Sequence, residues 1–404
     1  MIERDIIVVG AGPVGLTAAL ALHSLGRPVT VVETGDQSRV RPGSRAIFIH
    51  RASLQILERI QSGLGYDLNR HGLTWQTKRT LYRGREVFSK TYPAPSGSGL
   101  PAATSLPQVV TERVLYDACL SAGVEFIWNS QIVRASADPM RVELESINGT
   151  RMTARYVIAA DGSRSTVRET SGLRLEGPQT TNAFVIVDTA EDPANPLPLE
   201  RIFHYEHPAV DYRSVLYVPF AGHWRIDLQC HSDDDPETFS GTDGARRWLP
   251  KVIGAGYADR ITWVSTYTFR QAVANSFIDK HRRVLLTGEA AHVFAPFGAR
   301  GLNSGIPDAF LAAMAVDRAL KADSHAAADA AVDHFAQSRR TAALRNRASS
   351  NIALRHLTAP TPILKLKRRF AASLSTVLPA TGQWLDRAPY GPPLGTPDAD
   401  GMQY

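Results

Sequence analysis

Cysteine is almost missing from this chain: only Cys119 and Cys230 occur in 404 residues. A disulfide framework is therefore not implied, and a reducing, cytoplasmic setting is expected. No apolar run is long enough to span a bilayer, which argues against a membrane-spanning helix. The opening segment is apolar but carries Glu3 and Asp5 and runs straight into a glycine turn, so it reads as a first strand and not a signal peptide. No His/Cys/Asp group has metal-ligand spacing and no G-x-S-x-G elbow occurs, which removes a metal centre and a serine nucleophile from the candidate chemistries. No internal repeat is visible.

Acidic residues are outnumbered, leaving a formal net charge of +6. The excess gathers late, in Arg339, Arg340, Arg345, Arg347, Lys365, Lys367, Arg368 and Arg369. Few aromatics are interleaved and no recognition motif accompanies the charge, so nucleic acid is not an expected partner. The segment PILKLKRRFAASL is basic and amphipathic, a pattern shared by peripheral membrane faces and by solvated helices; the solvated face is the preferred reading. Hydrophobic content of 44% and charged content of 21% are ordinary for a globular protein. The length points to two interlocked domains.

What is present in force is a pair of glycine-rich motifs far apart. Ile6 to Gly15 read IIVVGAGPVG, an apolar strand followed by G-x-G-x-x-G. In such a turn Gly10 permits the tight bend, Gly12 lets backbone approach a pyrophosphate, and Gly15 lets the helix sit close to the strand. A helix is expected over Leu16–Leu25 with Gly26 as its stop, its N-terminus offering free N–H groups to phosphate. Val29–Val32 form a second strand ending in Glu33, where a carboxylate can take both ribose hydroxyls. Glu instead of Arg there predicts a ribose without a 2′-phosphate.

The second motif is Gly288 to Asn303, GEAAHVFAPFGARGLN. Val284–Leu286 read as a strand, and Ile306–Ala319 as a helix with Pro307 in its first turn. A strand end, a glycine loop and a helix N-terminus again make an anion site, suited to the N1/C2 edge of a flavin. Together the two motifs point to FAD as the resident, non-covalent cofactor.

With a third stretch, Tyr156 to Arg168 (YVIAADGSRSTVR), the chain resembles the class A flavoprotein monooxygenases of the para-hydroxybenzoate hydroxylase type over roughly residues 1 to 350. The wording PFGARG-x-NSG is most similar to the subgroup acting on hydroxyphenylpropionate and related phenols, with its polyketide-tailoring cousins. The resemblance implies cofactor roles for Arg45 (in SRA), Gln108, Asp161, Glu289, Gly298, Gly301, Leu302 and Asn303. It implies positioning roles at the reacting centre for Pro296, Gly301 and Leu302, with no single essential acid or base. Glu289 stands where the family has Asp, and Ala159-Ala160 where it has Gly-Cys. A stretch like Pro393 to Gly401 leads, in longer members, into a thioredoxin-like domain, which the resemblance implies is absent here.

The expected fold is mixed α/β: a Rossmann-like FAD-binding domain from 1–72, 107–180 and 276–324, an inserted antiparallel-sheet substrate domain from 73–106 and 181–275, and C-terminal helices and tail over 325–404. The inserts alternate polar and apolar residues, as strands with one wet face do. Tyr205, Tyr217 and Trp224 are the pocket candidates, among sheet aromatics that are more often core. Arg225 and Asp227 read as a cross-strand ion pair. His50, His204 and His223 are base candidates that more often prove structural, and His292 resembles a structural family histidine.

The implied activity is hydroxylation of a phenolic or polyketide-like aromatic with NAD(P)H and O2 as co-substrates, through a C4a-hydroperoxyflavin. A modest positive field would attract both NAD(P)H and phenolates. Baeyer–Villiger or epoxidising oxygenation, a non-oxygenating reductase or dehydrogenase, and an FAD-binding scaffold stand as alternatives. A halogenase is disfavoured because no W-x-W-x-I-P stretch occurs. Monomer and homodimer both remain open.

Overall fold

The run of β-branched residues in Ile2–Val9 makes the hub of the first sheet. It pairs in parallel with Thr30–Val32 on one side and Arg151–Ala159 on the other. Thr30–Val32 continues in parallel to Glu125–Ile127, and Arg151–Ala159 to Val284–Leu286. Such strands are covered on both faces, which is why they read as unbroken apolar runs. Ile7, Val8, Val31, Val157, Ile158 and Leu285 are fully buried. A computed structural model of the chain describes residues 2–39, 41–93 and 99–392. Pro393 to Gly401, the stretch compared above with longer relatives, lies outside them.

The expected helices form with shifted starts. The first spans Pro13–Ser24, because Gly12 is its extended N-cap and Pro13 fits the first turn; Gly26, at φ 75°, ends it. The last cofactor-side helix runs Arg300–Lys321, beginning before Ile306 and carrying Pro307 in its interior. The helical composition after Ala326 resolves into one 34-residue helix, His325–Thr358, followed by Pro362–Leu374 and Pro379–Arg387.

A second seven-stranded sheet is built from Thr77–Tyr82 and Arg85–Thr91 together with strands between 179 and 270. Two hairpins, turning at Arg83–Gly84 and at Ala221–Gly222, supply four of them. The sheet is antiparallel except at one joint, where Thr77–Tyr82 runs parallel to Glu200–His207. No hairpin links those two strands, so nothing local dictates their relative direction.

Alternation along these strands makes two unlike faces. Val185, Val187, Val215, Tyr217, Trp224 and Ile226 face outward under the helix Gly241–Ile253 and its Trp248. Phe184, Asp188, Val218, Arg225 and Asp227 have the opposite parity and face the cofactor-binding half. This inner face meets Ile47 at one end and Ala295, Phe297 and Leu354 at the other.

Candidate functional site

Three glycines in the first turn serve three distinct purposes. Gly10 adopts φ 101°, and a Cβ there would lie 2.4 Å from the Ala160 carbonyl oxygen. At Gly15 a Cβ would fall 1.8 Å from the Gly10 carbonyl oxygen, so helix and turn touch backbone to backbone. Gly12 differs: its φ is ordinary at −77°, and an added Cβ would meet only an Arg41 guanidinium nitrogen, at 3.5 Å. Among the described residues nothing needs Gly12 to be bare, and a bare position at an uncapped helix N-terminus is what close approach of an anion requires.

Glu33 is buried at the end of its strand, and its two carboxylate oxygens accept from the Ala11 N–H at 2.6 Å and the Gly35 N–H at 3.0 Å. Arg39 and Arg41 approach it at 3.8 and 3.6 Å. Arg41 also donates to Glu112 at 3.2 Å, and Glu112 accepts from Gln108 Nε2 at 2.8 Å. Arg39, Arg41 and Glu112 went unremarked in the sequence; their only signal was two arginines soon after the strand-end acid. Glu33→Ala is expected to weaken FAD by roughly 1.5–3 kcal/mol, the scale of a lost charge-assisted contact. Flavin-fluorescence titration checks this, with unchanged affinity counting against a ribose role.

The second motif converges on the same cleft. Arg168, fully enclosed, donates to the Ser163 and Ala290 carbonyls, tying the DG stretch to Gly288–Ala290. Asp161 accepts from Ser165 Oγ at 2.5 Å and from the Val167 N–H at 3.1 Å, so its carboxylate organises the short helix Thr166–Thr170. Burial pushes the Asp161 carboxyl up, against those hydrogen bonds.

Glu289 combines two properties that rarely coincide. Water reaches its side chain, yet enclosure by protein pushes its carboxyl above the usual range, with His292 and Arg45 acting the other way. The carboxylate is thus open to water while protein atoms crowd around it. Arg45, at φ 51°, is close enough to act on it, while its own carbonyl accepts from Arg225. Tyr267 from the inner sheet face completes this group; burial first, and Glu289 second, push its phenol up to about 12. Glu289→Ala is expected to weaken FAD measurably, whereas Glu289→Asp, which keeps the charge, should stay close to the parent. Equal affinity in Glu289→Ala would show that the loop is misassigned.

The loop after Glu289 is shaped by Gly298 at φ 75° and Ala299 at φ 53° before the helix Arg300–Lys321, whose first N–H groups have no side-chain cap. At Gly301 a Cβ would meet nothing within 4 Å, and Pro296 and Leu302 are half-buried beside it. Asn303 is a tie and not a free donor: it accepts from the His50 N–H at 2.9 Å and Ser53 Oγ at 2.8 Å, and donates to the Phe48 and Ala299 carbonyls. Arg300 turns away from the cleft, donating to Asn346 Oδ1 and to the Tyr390 and Pro392 carbonyls. Burial lowers its pKa to about 10.

Pocket and base candidates are redistributed. Tyr217 and Trp224 belong to the outer face under Gly241–Ile253, and Trp224 Nε1 donates to Glu191 at 2.7 Å. Tyr205 is on the inner face but sealed beneath the C-terminal helices, donating to the Leu385 carbonyl at 2.8 Å beside His356. None of the three lies at the cleft, because the helices covering each face come from distant sequence. Arg225 and Asp227 pair along one strand, at 2.7 Å and 3.2 Å, and the cross-strand neighbour of Arg225 is Asp188, which accepts from Ser44. His204 Nε2 accepts from the Gly84 N–H, and burial lowers its pKa to about 3. His223 sits at a hairpin end against Phe220. His50 stands at the cleft wall next to Asn303, its pKa lowered to about 4 by burial and then by Arg300, so its ring is neutral near pH 7. Among the described residues no cluster suited to a metal ion occurs, and no helix is long and apolar enough to cross a membrane.

A family model described as the FAD binding domain matches residues 3–348. The 6-methylpretetramide 4-monooxygenase of Streptomyces rimosus is 31% identical over 324 residues, covering 76% of this chain and 54% of that protein. The 3-(3-hydroxy-phenyl)propionate/3-hydroxycinnamic acid hydroxylase of Mycobacterium avium is 29% identical over 329 residues, covering 76% and 53%. The chain thus spans about half the length of these curated relatives. The crystal structure of p-nitrophenol 4-monooxygenase from Pseudomonas putida superposes with a TM-score of 0.78 at 23% identity, covering 97% of this chain and 99% of that one. It shares the fold.

Proposed function

The chain belongs to the FAD-binding-domain family, and from that premise we propose that it is an FAD- and NAD(P)H-dependent monooxygenase hydroxylating a phenolic or polyketide-like aromatic. The observation that carries this reading is a juxtaposition. Ala295 and Phe297 of the glycine loop pack on Phe184 and Tyr267 of the second sheet, with Phe184 and Phe297 rings 5.6 Å apart edge to face. The loop suited to a flavin edge is thereby held against an apolar, aromatic wall.

The residues present fit FAD. Gly10, Gly12 and Gly15 with the helix behind them would hold the pyrophosphate, Glu33 the ribose, Arg45, Gln108, Asp161 and Glu289 the middle of the cofactor, and Gly298 to Asn303 the ring. Bound FAD supplies the redox chemistry that activates oxygen. The chain's own part is to bind, orient and exclude water. The uncapped N–H groups at the start of Arg300–Lys321 present a positive dipole end to charge on the ring edge. Asn303 holds that helix start against Phe48 and His50, fixing where the donors point. Pro296, Gly301 and Leu302, half-buried and with open space at the Cβ position of Gly301, would position an aromatic ring beside the flavin. Free, buried Cys119 and Cys230 accord with a cytoplasmic enzyme.

The decisive experiment adds phenols and aromatic polyketides to the FAD-loaded protein and follows NAD(P)H oxidation and 18O2 incorporation. Oxidation should be slow alone and rise strongly with the right aromatic, whose product gains one labelled oxygen. Reducing equivalents passing to another acceptor with no label in any product would sink the proposal and leave only the FAD fold. Gly301→Val refines the test. Among the described residues a Cβ at position 301 meets nothing within 4 Å, so crowding is expected to fall on bound cofactor and substrate. Labelled product per NAD(P)H should drop on the order of 10- to 100-fold, with hydrogen peroxide in its place, as expected for misplacement at a reacting centre.

A further inference from the structure

The C-terminal helices carry a surface that the proposed chemistry does not use. The helix Pro362–Leu374 buries Arg368, Ala371 and Ala372. Arg368 sets its rotation: the guanidinium donates to the His356 and Leu357 carbonyls and to Glu206 at 2.9 Å. At 3.6 residues per turn, this leaves Ile363, Leu366, Phe370 and Leu374 as one stripe on the far side. They are 69%, 52%, 58% and 45% exposed, and Val377 and Leu378 extend the stripe beyond the helix end. Lys365 and Arg369 border it on one flank and Lys367 on the other, all exposed.

Isolated exposed apolar residues need no explanation, but a contiguous stripe does. Charge decides what covers it. From His334 to Leu385 the chain contains no Asp or Glu at all. Glu206, the acid that Arg368 of the helix contacts, is already engaged by Arg83 and Tyr82 as well. Two copies of this stripe packed on each other would bring lysines and arginines together with no acid from the segment between them. An apolar stripe whose flanking charges on the helix are all cationic complements a surface that is apolar beneath an anionic layer.

We propose that this face docks peripherally on an anionic lipid bilayer, with Ile363, Leu366, Phe370 and Leu374 entering the acyl boundary and Lys365, Lys367 and Arg369 at the headgroups. The proposal rests on this surface alone and stands or falls independently of the reaction.

Co-sedimentation of the FAD-loaded protein with vesicles tests it. Vesicles of equal phosphatidylglycerol and phosphatidylcholine should pellet the protein, and pure phosphatidylcholine should not. Binding should fall steeply between low salt and about 0.5 M, where surface charges are screened. The Lys365→Glu/Lys367→Glu and Leu366→Ser/Phe370→Ser pairs should each weaken binding at least about tenfold, while flavin absorbance and the melting temperature stay at parent values. Should a variant fail to fold, the lipid preference of the parent protein decides by itself. Equal binding to both vesicles, or none to either, overturns the proposal. So does a dimer in sedimentation velocity that Leu366→Ser/Phe370→Ser dissociates, which would give the face to a second copy.

Discussion

Gly15→Ala is expected to yield a destabilised protein that retains no flavin, whereas Gly12→Ala should be as stable as the parent and still bind FAD poorly. The contrast comes from what each missing side chain would meet. The methyl group at position 15 would overlap the Gly10 carbonyl, 1.8 Å from its oxygen, and would press on Ala160. Those neighbours are turn backbone and the half-buried residue that directly follows the strand Arg151–Ala159, so helix and sheet must part. The expected loss is roughly 3 kcal/mol, at the upper end for overpacking, and a melting temperature lower by about 3–4 °C. At position 12 the backbone is already in an ordinary conformation, and Arg41 lies at contact distance. The apoprotein should change by less than about 0.5 kcal/mol. FAD affinity should nevertheless fall on the order of 100-fold, since the phosphates lose a close backbone approach. Thermal melts of the apoproteins, paired with FAD titration, separate the two effects. A Gly12→Ala protein that loses stability but keeps its affinity would show that the turn is built for the fold and not for phosphate.

Asp308→Ala is expected to cost about 3–5 kcal/mol, the scale of breaking a buried ion pair from one side. Asp308, His292 and Arg339 are 0%, 1% and 2% exposed. The carboxylate accepts from His292 Nε2 at 2.6 Å, from Arg339 Nε at 2.7 Å and from the Gly288 N–H at 3.2 Å. One side chain therefore joins the helix Arg300–Lys321, the long helix after it and the strand end that carries Glu289. His292 also stacks on Phe294, with ring centroids 4.5 Å apart. Burial alone would raise the Asp308 pKa, but His292 and Arg339 outweigh it, and the carboxyl is held below its ordinary value. A depressed folded-state pKa adds stability at every pH above the unfolded value, near 3.9 for Asp. That stability is lost as pH falls through the folded value. The deficit of Asp308→Ala should accordingly be full at neutral pH and shrink only below about pH 4. Urea denaturation of parent and variant across pH 3 to 8 measures it. A deficit under about 1 kcal/mol at neutral pH would reduce this cluster to ordinary packing.

Much of the cofactor half was legible in the chain itself. Strand runs such as IIVV and VLL are buried on both faces, and burial on both faces leaves an unbroken apolar signature. The G-x-G-x-x-G spacing of Gly10, Gly12 and Gly15 is a local signal, although the close neighbour of Gly10, the Ala160 carbonyl, comes from a distant strand end. The family match over residues 3–348 agrees with that reading. Helix starts were less legible. The helix through Pro307 begins at Arg300, because the Gly298–Ala299 turn supplies its entry and the rest of the helix tolerates one missing N–H.

The second sheet marks where local sequence stops deciding. Period-2 alternation separates Tyr217 and Trp224 from Arg225 and Asp227, and that parity is a property of the strand. Which parity faces the cleft depends on Gly241–Ile253 covering one side and on the helices after residue 325 covering part of the other. Those are contacts across scores of residues, and no local pattern encodes them. Tyr205 thus ends under Leu385 and His356, and Asn303 becomes a tie between two segments 250 residues apart. Glu289 shows the same division. Its position after a buried strand follows from sequence, because strand and turn are short-range events. Its enclosure follows from Arg45 and Tyr267 arriving from two other parts of the chain to join the neighbouring His292, and only long-range packing could bring those two there.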